Sequence, residues 1–322
     1  MFPPSDKLTV CFAHVAYQLH ERFAQRQMAS HSFAVRTADE FARRIVEADV
    51  VVVSGMWRNE LLERTQSLRF IQSVGAGTDQ FDRDKLTARG IRLASARGVN
   101  THAVSEHAMA LILALTRRLA EACDNQAKHV WRGMIADIAQ REDELGGKTL
   151  LIVGLGGIGS RLAQLAKVFG MRVIGVKRDP TKGGEAADEI HGLDALKSLL
   201  PQVDFVALTC PLTHETEKVI DADALSRMKR SAYLINVARG RCVDELALIK
   251  ALQDHTIAGA AIDVTVEEPL PGTSPLWDLG NVLITPHTAG ETRKYEDNVL
   301  DILVENLHRL ARGETALRNQ VV

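Results

Sequence analysis

The chain has 322 residues, and 39 lysines and arginines against 41 aspartates and glutamates give a formal net charge of −2. At about 150 residues per domain this length predicts two domains, and 46 % hydrophobic residues suffice for a core in each. No basic stripe, membrane-length apolar run or signal peptide is recognisable, which argues against nucleic-acid and membrane partners. The cysteines lack metal-ligand spacing, which predicts reduced thiols, a cytoplasmic location and no bound metal.

The first hundred residues alternate between short apolar runs and helical segments. Strands are predicted at Val10–Val15, Val50–Ser54, Phe70–Val74 and Ile91–Ala94. A long helix follows over Thr101–Arg118, and because small and apolar residues occupy most of its faces, we expect it to be buried between domains or subunits. Residues 119–145 form a polar, helical excursion that contains Trp131. For Trp131 we favour a role in the core or in a dimer interface over contact with the cleft of a neighbouring subunit.

Residues 150–159 read LLIVGLGGIG, an apolar run that leads into three glycines at G-x-G-x-x-G spacing. In a strand–turn–helix unit, Gly154 makes the tight turn, Gly156 lets the backbone approach a pyrophosphate, and Gly159 lets helix and strand pack closely. The predicted helix carries an apolar face of Leu162, Leu165, Ala166 and Phe169. Because free amides at a helix start bind anions, we predict dinucleotide binding here over a purely structural turn.

Strands and helices continue to alternate after this loop. The further predicted strands are Leu150–Val153, Arg172–Val176, Phe205–Thr209, Tyr233–Val237, Ala258–Val264 and Val282–Thr285, and the last predicted helix is Arg293–Arg312. The alternation predicts an α/β fold with two Rossmann-like, doubly wound parallel-sheet domains. Because the glycine loop lies mid-chain, we expect an NAD(P)-binding domain over residues 100–288. It is inserted into a smaller, flavodoxin-like substrate domain of residues 1–99 and 289–322.

The pair Lys177-Arg178 ends the second predicted strand of the nucleotide domain. In NAD-binding folds an acidic side chain there bonds the adenine-ribose 2′-hydroxyl. Two cations instead attract a 2′-phosphate, which an arginine can bind through two parallel hydrogen bonds, so the pair favours NADP(H). In the alternative interpretation, Lys177 and Arg178 are a solvated surface pair and Asp179 bonds the ribose. The cofactor would then be NAD, or the protein would use both NAD and NADP.

Three polar segments in the C-terminal half each follow a predicted strand. They contain Arg239, Glu268 and His287, and they lie at the carboxyl edge of the sheet, where open α/β folds bind ligands. Arginine binds a carboxylate through a forked pair of hydrogen bonds. Histidine exchanges a proton with an alkoxide or carbonyl oxygen near neutral pH, and a carboxylate at its other nitrogen orients the ring. Taken singly each residue also has a structural interpretation; beside a nicotinamide the three predict a catalytic set.

On these residues the chain resembles the D-isomer-specific 2-hydroxyacid dehydrogenase family over nearly its whole length. Residues 73–79, SVGAGTD, look like the family's substrate loop, whose amides hold the substrate carboxylate, and residues 98–107 look like its crossover between domains. Arg239, Glu268 and His287 match its Arg–Glu–His catalytic set. The departure from the family pattern is Lys177 in place of the usual acid. This difference argues against NAD as the cofactor and leaves the expected fold unaffected.

The resemblance also implies ligand contacts, with Asp263 bonding the nicotinamide amide. The predicted cofactor-binding residues are Gly154, Gly156, Gly157, Ile158, Gly159, Lys177, Arg178, Thr209, Cys210, Pro211, Thr216, Val237, Ala238, Asp263, His287 and Ala289. The predicted substrate-binding residues are Met56, Trp57, Val74, Gly75, Ala76, Asn100 and Arg239. For Trp57 simple packing is an equal alternative, and for Asn100 capping of the long helix is another.

The implied activity is the NAD(P)H-dependent interconversion of a small 2-keto acid and its D-2-hydroxy acid, with NADP preferred. Short polar acids such as glyoxylate and hydroxypyruvate fit it, and the resemblance implies a homodimer. The alternatives are a dinucleotide-sensing module without significant turnover and a short phosphoglycerate dehydrogenase-like enzyme. A formate dehydrogenase is disfavoured, because the formate dehydrogenases that resemble this chain have an amide side chain at the position of Glu268.

Overall fold

The computed structural model describes residues 2–184 and 186–322, which form two compact units. One unit contains the chain up to Asn100 together with Thr292–Val322, and the other contains Thr101–Glu291. In this described part of the chain, no helix is both long and apolar enough to cross a membrane.

Every strand pairs in parallel with its neighbours. The strands are β1 Thr9–Ala13, β2 His31–Val35, β3 Val50–Val53, β4 Phe70–Ser73, β5 Arg92–Ala94, β6 Thr149–Val153, β7 Arg172–Val176, β8 Glu189–His191, β9 Phe205–Leu208, β10 Tyr233–Asn236, β11 Gly259–Ile262 and β12 Val282–Ile284. The helices are α1 Leu19–Ala24, α2 Ala38–Arg44, α3 Arg83–Ala88, α4 Thr101–Thr116, α5 Leu119–Ala127, α6 Gly157–Val168, α7 Leu196–Leu199, α8 Ala222–Arg227, α9 Glu245–Gln253 and α10 Tyr295–Ala311.

The smaller unit is built on a five-stranded sheet of order β2-β1-β3-β4-β5. Strand β3 is four consecutive valines, all buried. Because side chains alternate along a strand, Val50 and Val52 pack with α10, whereas Val51 and Val53 pack with Phe41 of α2. Both faces of the sheet are therefore covered by helices, which explains why its strands are continuous apolar runs.

The larger unit has a seven-stranded sheet of order β12-β11-β10-β9-β6-β7-β8. Helices α4 and α6 cover one face, where Leu150 and Ile152 of β6 are buried, and α7 to α9 cover the other, where Leu151 and Val153 are buried. The strand order reverses between β6 and β9, and ligands of doubly wound folds bind outside the carboxyl ends of the strands at such a point. The glycine loop after β6 lies at this point.

All ten predicted strands are present, and the predicted α/β fold with two parallel sheets is confirmed. Strands β2 and β8 were not predicted because both are edge strands that are only partly buried and lack an apolar run. The prediction for the α6 face is wrong at Phe169, which is 42 % exposed, because the helix ends at Val168 and buries Ala163 instead.

The excursion after α4 is helical only over α5 and in a short turn at Ile138–Gln140. The side chain of Trp131 is 99 % exposed. This exposure rules out a core role for Trp131 within the chain, which was one of the two roles favoured from the sequence.

Candidate active site

The glycine loop has the three local geometries that its spacing predicts. Gly154 has φ +103°, and a Cβ there would lie 2.7 Å from the Cys210 backbone, so only glycine fits. A Cβ at Gly159 would lie 2.1 Å from the Gly154 carbonyl oxygen, which shows how closely α6 packs on the turn. At Gly156, by contrast, a Cβ would meet nothing within 4 Å, so this side of the loop is open toward the helix start.

These geometries predict different effects for two alanine substitutions. Gly159→Ala forces atoms apart in a packed turn, so we expect it to lower the free energy of unfolding by about 1–3 kcal/mol or more and to weaken dinucleotide binding. Gly156→Ala leaves the melting temperature nearly unchanged and weakens only binding. Thermal unfolding and NADPH titration measure the two quantities. Equal melting temperatures for the two variants would contradict this account of the loop.

The loop after β9 packs directly on the glycine turn. Thr209 Oγ1 donates a 2.7 Å hydrogen bond to the Gly154 carbonyl oxygen, and Thr216 Oγ1 donates one of 2.6 Å to the Pro211 carbonyl oxygen. The neighbouring Cys242 thiol, and then burial, raise the pKa of the Cys210 thiol, so that it stays protonated at neutral pH. The predicted cofactor-side residues of this loop are therefore next to the glycine turn.

The predicted cation pair follows β7, with Lys177 half-buried and Arg178 extending into solvent. Arg178 is 74 % exposed at its side chain, and its Nε lies 3.4 Å from Glu215 Oε2, in a weakly held ion pair. Lys177 Nζ donates to the Lys182 carbonyl oxygen. Asp179 accepts hydrogen bonds from the Thr181 amide and hydroxyl, so this carboxylate has partners within its own loop.

Arg239 follows β10 and is held by its neighbours in the chain. Asn236, which is 1 % exposed, donates from Nδ2 to the Arg239 carbonyl oxygen at 3.0 Å and accepts from the Ala238 amide at 3.0 Å. A Cβ at Gly240 would lie 2.0 Å from the Thr265 backbone, so the loops after β10 and β11 are in contact. This contact brings the backbone of Arg239 close to the segment that leads to Glu268.

Glu268 and His287 form the central pair of the site. Glu268 Oε2 lies 2.7 Å from His287 Nδ1, and Glu268 Oε1 accepts a 3.1 Å hydrogen bond from the Thr265 amide. A carboxylate has only acceptors, so His287 carries a proton on Nδ1 and its Nε2 is the nitrogen that can exchange a proton with a ligand. The two side chains are 38 % and 49 % exposed, which leaves the pair accessible.

Asp263 organises the loop after β12 that contains His287. Its side chain is buried and accepts hydrogen bonds from Thr285 Oγ1 at 2.6 Å, the Thr288 amide at 3.0 Å and the Ala289 amide at 3.1 Å. The His287 amide donates to the Asp263 carbonyl oxygen at 2.8 Å, and His287 adopts a left-handed φ of 54°. The conformation of the loop that contains His287 therefore depends on a buried carboxylate.

His107 of α4 was absent from the predicted site, yet its Nε2 lies 3.0 Å from Thr285 Oγ1 and 3.8 Å from Asp263 Oδ1. The only signal in the sequence was a histidine within a helix of small and apolar residues. A histidine in such a helix is more often a packed residue, and the sequence does not say which strand end it faces.

The predicted substrate residues of the smaller unit differ in how their polar groups are used. The Val74 amide donates to the Val53 carbonyl oxygen and is therefore not available to bind a carboxylate. The amides predicted to bind the substrate carboxylate thus begin at Gly75. The Tyr295 hydroxyl, whose pKa is raised by burial, donates to the Val74 carbonyl oxygen at 2.8 Å. Asn100 Oδ1 is buried and has no hydrogen-bond partner among the described residues.

Met56 and Trp57 are also predicted substrate residues, and both lie in the apolar core of the smaller unit. They are 8 % and 1 % exposed, and Trp57 Nε1 donates a 2.9 Å hydrogen bond to Asn59 Oδ1. The ring of Trp57 packs against Phe81. These contacts favour the packing alternative for Trp57, and a substrate contact stays a prediction.

Comparison with known proteins assigns the family. The model of the D-isomer specific 2-hydroxyacid dehydrogenase NAD-binding domain matches residues 109–289. The chain is 37 % identical over 305 residues to the glyoxylate/hydroxypyruvate reductase B of Yersinia enterocolitica, covering 92 % of each chain. It is 35 % identical over 285 residues to the D-3-phosphoglycerate dehydrogenase of Methanocaldococcus jannaschii, covering 87 % of this chain and 53 % of that one.

A solved structure agrees with this assignment. The NADPH-dependent glyoxylate/hydroxypyruvate reductase of Sinorhizobium meliloti, determined in complex with citrate, superposes with a TM-score of 0.83 at 27 % identity and covers 98 % of each chain. Together with the family model and the relative that is 37 % identical, this similarity extends over both units. The chain belongs to the D-isomer-specific 2-hydroxyacid dehydrogenase family.

Proposed function

We propose that the protein reduces small 2-keto acids, glyoxylate and hydroxypyruvate foremost, to 2-hydroxy acids with NADPH, and that chiral products have the D configuration. The observation that carries the proposal is the 2.7 Å contact between Glu268 and His287, at the sheet edge where the glycine loop and Arg239 also lie. The names of two relatives that cover most of the chain support the substrate class. The D-configuration is supported by family membership.

The larger unit fits a dinucleotide. The open face at Gly156 and the first amides of α6, a twelve-residue helix, suit a pyrophosphate, because a helix start combines free N–H groups with a positive dipole end. The residues from Gly154 to Gly159 would hold it, with Thr209 supporting the turn. A reduced nicotinamide supplies the hydride when the cofactor is bound.

The residues of the chain supply the remaining chemistry. We propose that Arg239 binds the substrate carboxylate and polarises the keto oxygen. His287, protonated at both nitrogens and oriented by Glu268, gives its Nε2 proton to that oxygen as negative charge develops on it. In the reverse direction neutral His287 takes the proton from the hydroxyl group. The exchange leaves the Nδ1–H of His287 hydrogen-bonded to Glu268, so the ring keeps its orientation.

Steady-state rates distinguish this function from the two alternatives. We expect reduction of glyoxylate and hydroxypyruvate to exceed oxidation of 3-phosphoglycerate, with pyruvate and phenylpyruvate as comparison substrates. Preferential oxidation of 3-phosphoglycerate would replace the proposed substrate class with that of a short phosphoglycerate dehydrogenase. Tight NADPH binding without turnover of any acid would support the sensing module.

The preference for NADP over NAD is proposed to come from Lys177 and Arg178. Arg178→Ala removes an exposed guanidinium that can bind a 2′-phosphate, so we expect kcat/KM with NADPH to fall about tenfold, with little change for NADH. Arg172→Ala is the matched control, because Arg172 is a cation at the opposite end of the same strand. A parallel loss with both cofactors, or a loss in the control, would contradict the assignment.

We also propose a cytoplasmic homodimer. The excursion exposes a cluster of large apolar side chains of the kind that marks protein interfaces: Val130, Trp131, Met134 and Ile138. The free cysteines support a reducing compartment. Sedimentation is expected to show a dimer that Trp131→Ser weakens, and a monomeric wild type would refute the dimer.

A further inference from the structure

A line of hydrogen bonds connects α4 to the loop that contains His287. His107 Nε2 lies 3.0 Å from Thr285 Oγ1, and Thr285 Oγ1 lies 2.6 Å from Asp263 Oδ1. His107 is only 24 % exposed at its side chain and Asp263 is 2 % exposed, so little solvent competes for these bonds. All three residues belong to the larger unit.

The direction of each bond follows from the chemistry of the groups. The carboxylate of Asp263 accepts only, so Thr285 must give it the single hydroxyl proton. The Thr285 oxygen can then only accept from His107, whose Nε2 must carry a proton. This arrangement selects one tautomer or the charged ring for His107, and it directs the Thr285 hydroxyl at Asp263.

The Asp263 carboxylate in turn restrains the catalytic loop. It accepts hydrogen bonds from the amides of Thr288 and Ala289, which follow His287 in the chain, whereas Thr285 precedes it. His287 lies between these restraints with a left-handed backbone, a conformation that costs free energy for a residue other than glycine. The position of its ring against Glu268 therefore depends on Asp263 keeping its donors on both sides.

We propose that His107 and Thr285 are positioning residues that act through Asp263 to hold His287 against Glu268. The inference rests on the proposed function for its catalytic consequence, whereas the positioning itself is a property of the protein without substrate. In this arrangement α4 contributes more than apolar packing, because it fixes the geometry of the proton donor.

Paired substitutions test the proposal in kinetics. His107→Leu removes the donor and Thr285→Val removes the hydroxyl, so each is expected to lower kcat for keto-acid reduction roughly ten- to hundredfold, since small misplacements of a catalytic group are costly. The KM for NADPH should change much less. His107→Gln and Thr285→Ser keep a donor and a hydroxyl, and they should recover most of the loss. His102→Leu is the control, because His102 is exposed on the same helix.

Nitrogen-15 spectra of histidine-labelled protein test the positioning without turnover. Wild type should show a proton on His107 Nε2 and one on His287 Nδ1. His107→Leu and Thr285→Val should shift or broaden the His287 Nδ1–H signal, and His102→Leu should leave it unchanged.

Two results would overturn the proposal. One is an unchanged His287 signal and kcat in both disruptive variants. The other is a loss of kcat that follows a lower melting temperature and is not restored by His107→Gln or Thr285→Ser, because that pattern describes a structural role only. If wild type reduces no keto acid, the proposed function fails, and the spectra still decide whether His107 positions His287.

Discussion

His287→Asn is expected to fold, to bind NADPH with nearly wild-type affinity, and to reduce glyoxylate about 10²–10⁴-fold more slowly, the usual effect of removing a general acid. Asparagine is chosen because it tolerates the left-handed backbone that His287 adopts at φ 54°. His287→Ala removes the same acid but lacks a short polar side chain that stabilises this conformation. Initial rates at saturating NADPH measure the effect.

Two further variants show whether the loss comes from the proton donor. Glu268→Gln keeps an oxygen that can accept from His287 Nδ1 but replaces a charge-assisted hydrogen bond with a weaker neutral one. The ring is then held less firmly, so an intermediate loss is expected. His308→Ala changes an exposed histidine on α10 and should have no effect. Near wild-type turnover by purified His287→Asn would refute the assignment of His287 as acid.

Arg239→Ala is expected to lower kcat/KM for glyoxylate about 10²–10³-fold, because both the anchor of the carboxylate and the cation near the developing oxyanion are lost. Both KM and kcat should worsen, since the guanidinium acts on the bound substrate and on the transition state. Arg239→Lys keeps the charge but loses the forked pair of donors, so it should recover only part of the activity.

Arg241→Ala is the matched control for this prediction. Arg241 lies two residues further along, is 58 % exposed at its side chain and pairs with Glu217 on the surface. Its loss should leave kcat/KM and the melting temperature nearly unchanged. Equal effects of Arg239→Ala and Arg241→Ala would mean that local charge, and not a defined substrate contact, decides activity.

The strands could be predicted because parallel sheets covered on both faces require continuous apolar runs. Strand β3 is four valines, and β6 reads TLLIV, all buried. The exceptions follow from the same physics. Strands β2 and β8 are edge strands with partly exposed side chains, so their stability comes from pairing with β1 and β7, which the local sequence does not encode.

The site could be predicted in part for a related reason. Residues that follow successive parallel strands meet at one sheet edge, so chain order predicts Arg239, Glu268 and His287 at one edge. The structure brings Glu268 and His287 into contact. The contact of His107 with Thr285 could not be predicted, because it depends on how α4 is rotated about its axis on the sheet. The sequence likewise predicts Val74 among the residues that bind the substrate carboxylate, whereas in the structure its amide donates to the Val53 carbonyl oxygen.

The sequence by itself determined the α/β class, the glycine turn and the sheet edge at which Arg239, Glu268 and His287 lie. Local periodicity, turn chemistry and strand order suffice for each of these. Only the tertiary structure decided which buried polar groups satisfy one another: Asp263 with the loop around His287, and Trp57 with Asn59. Buried donors and acceptors must find partners wherever packing brings them, and this packing is a property of the whole fold.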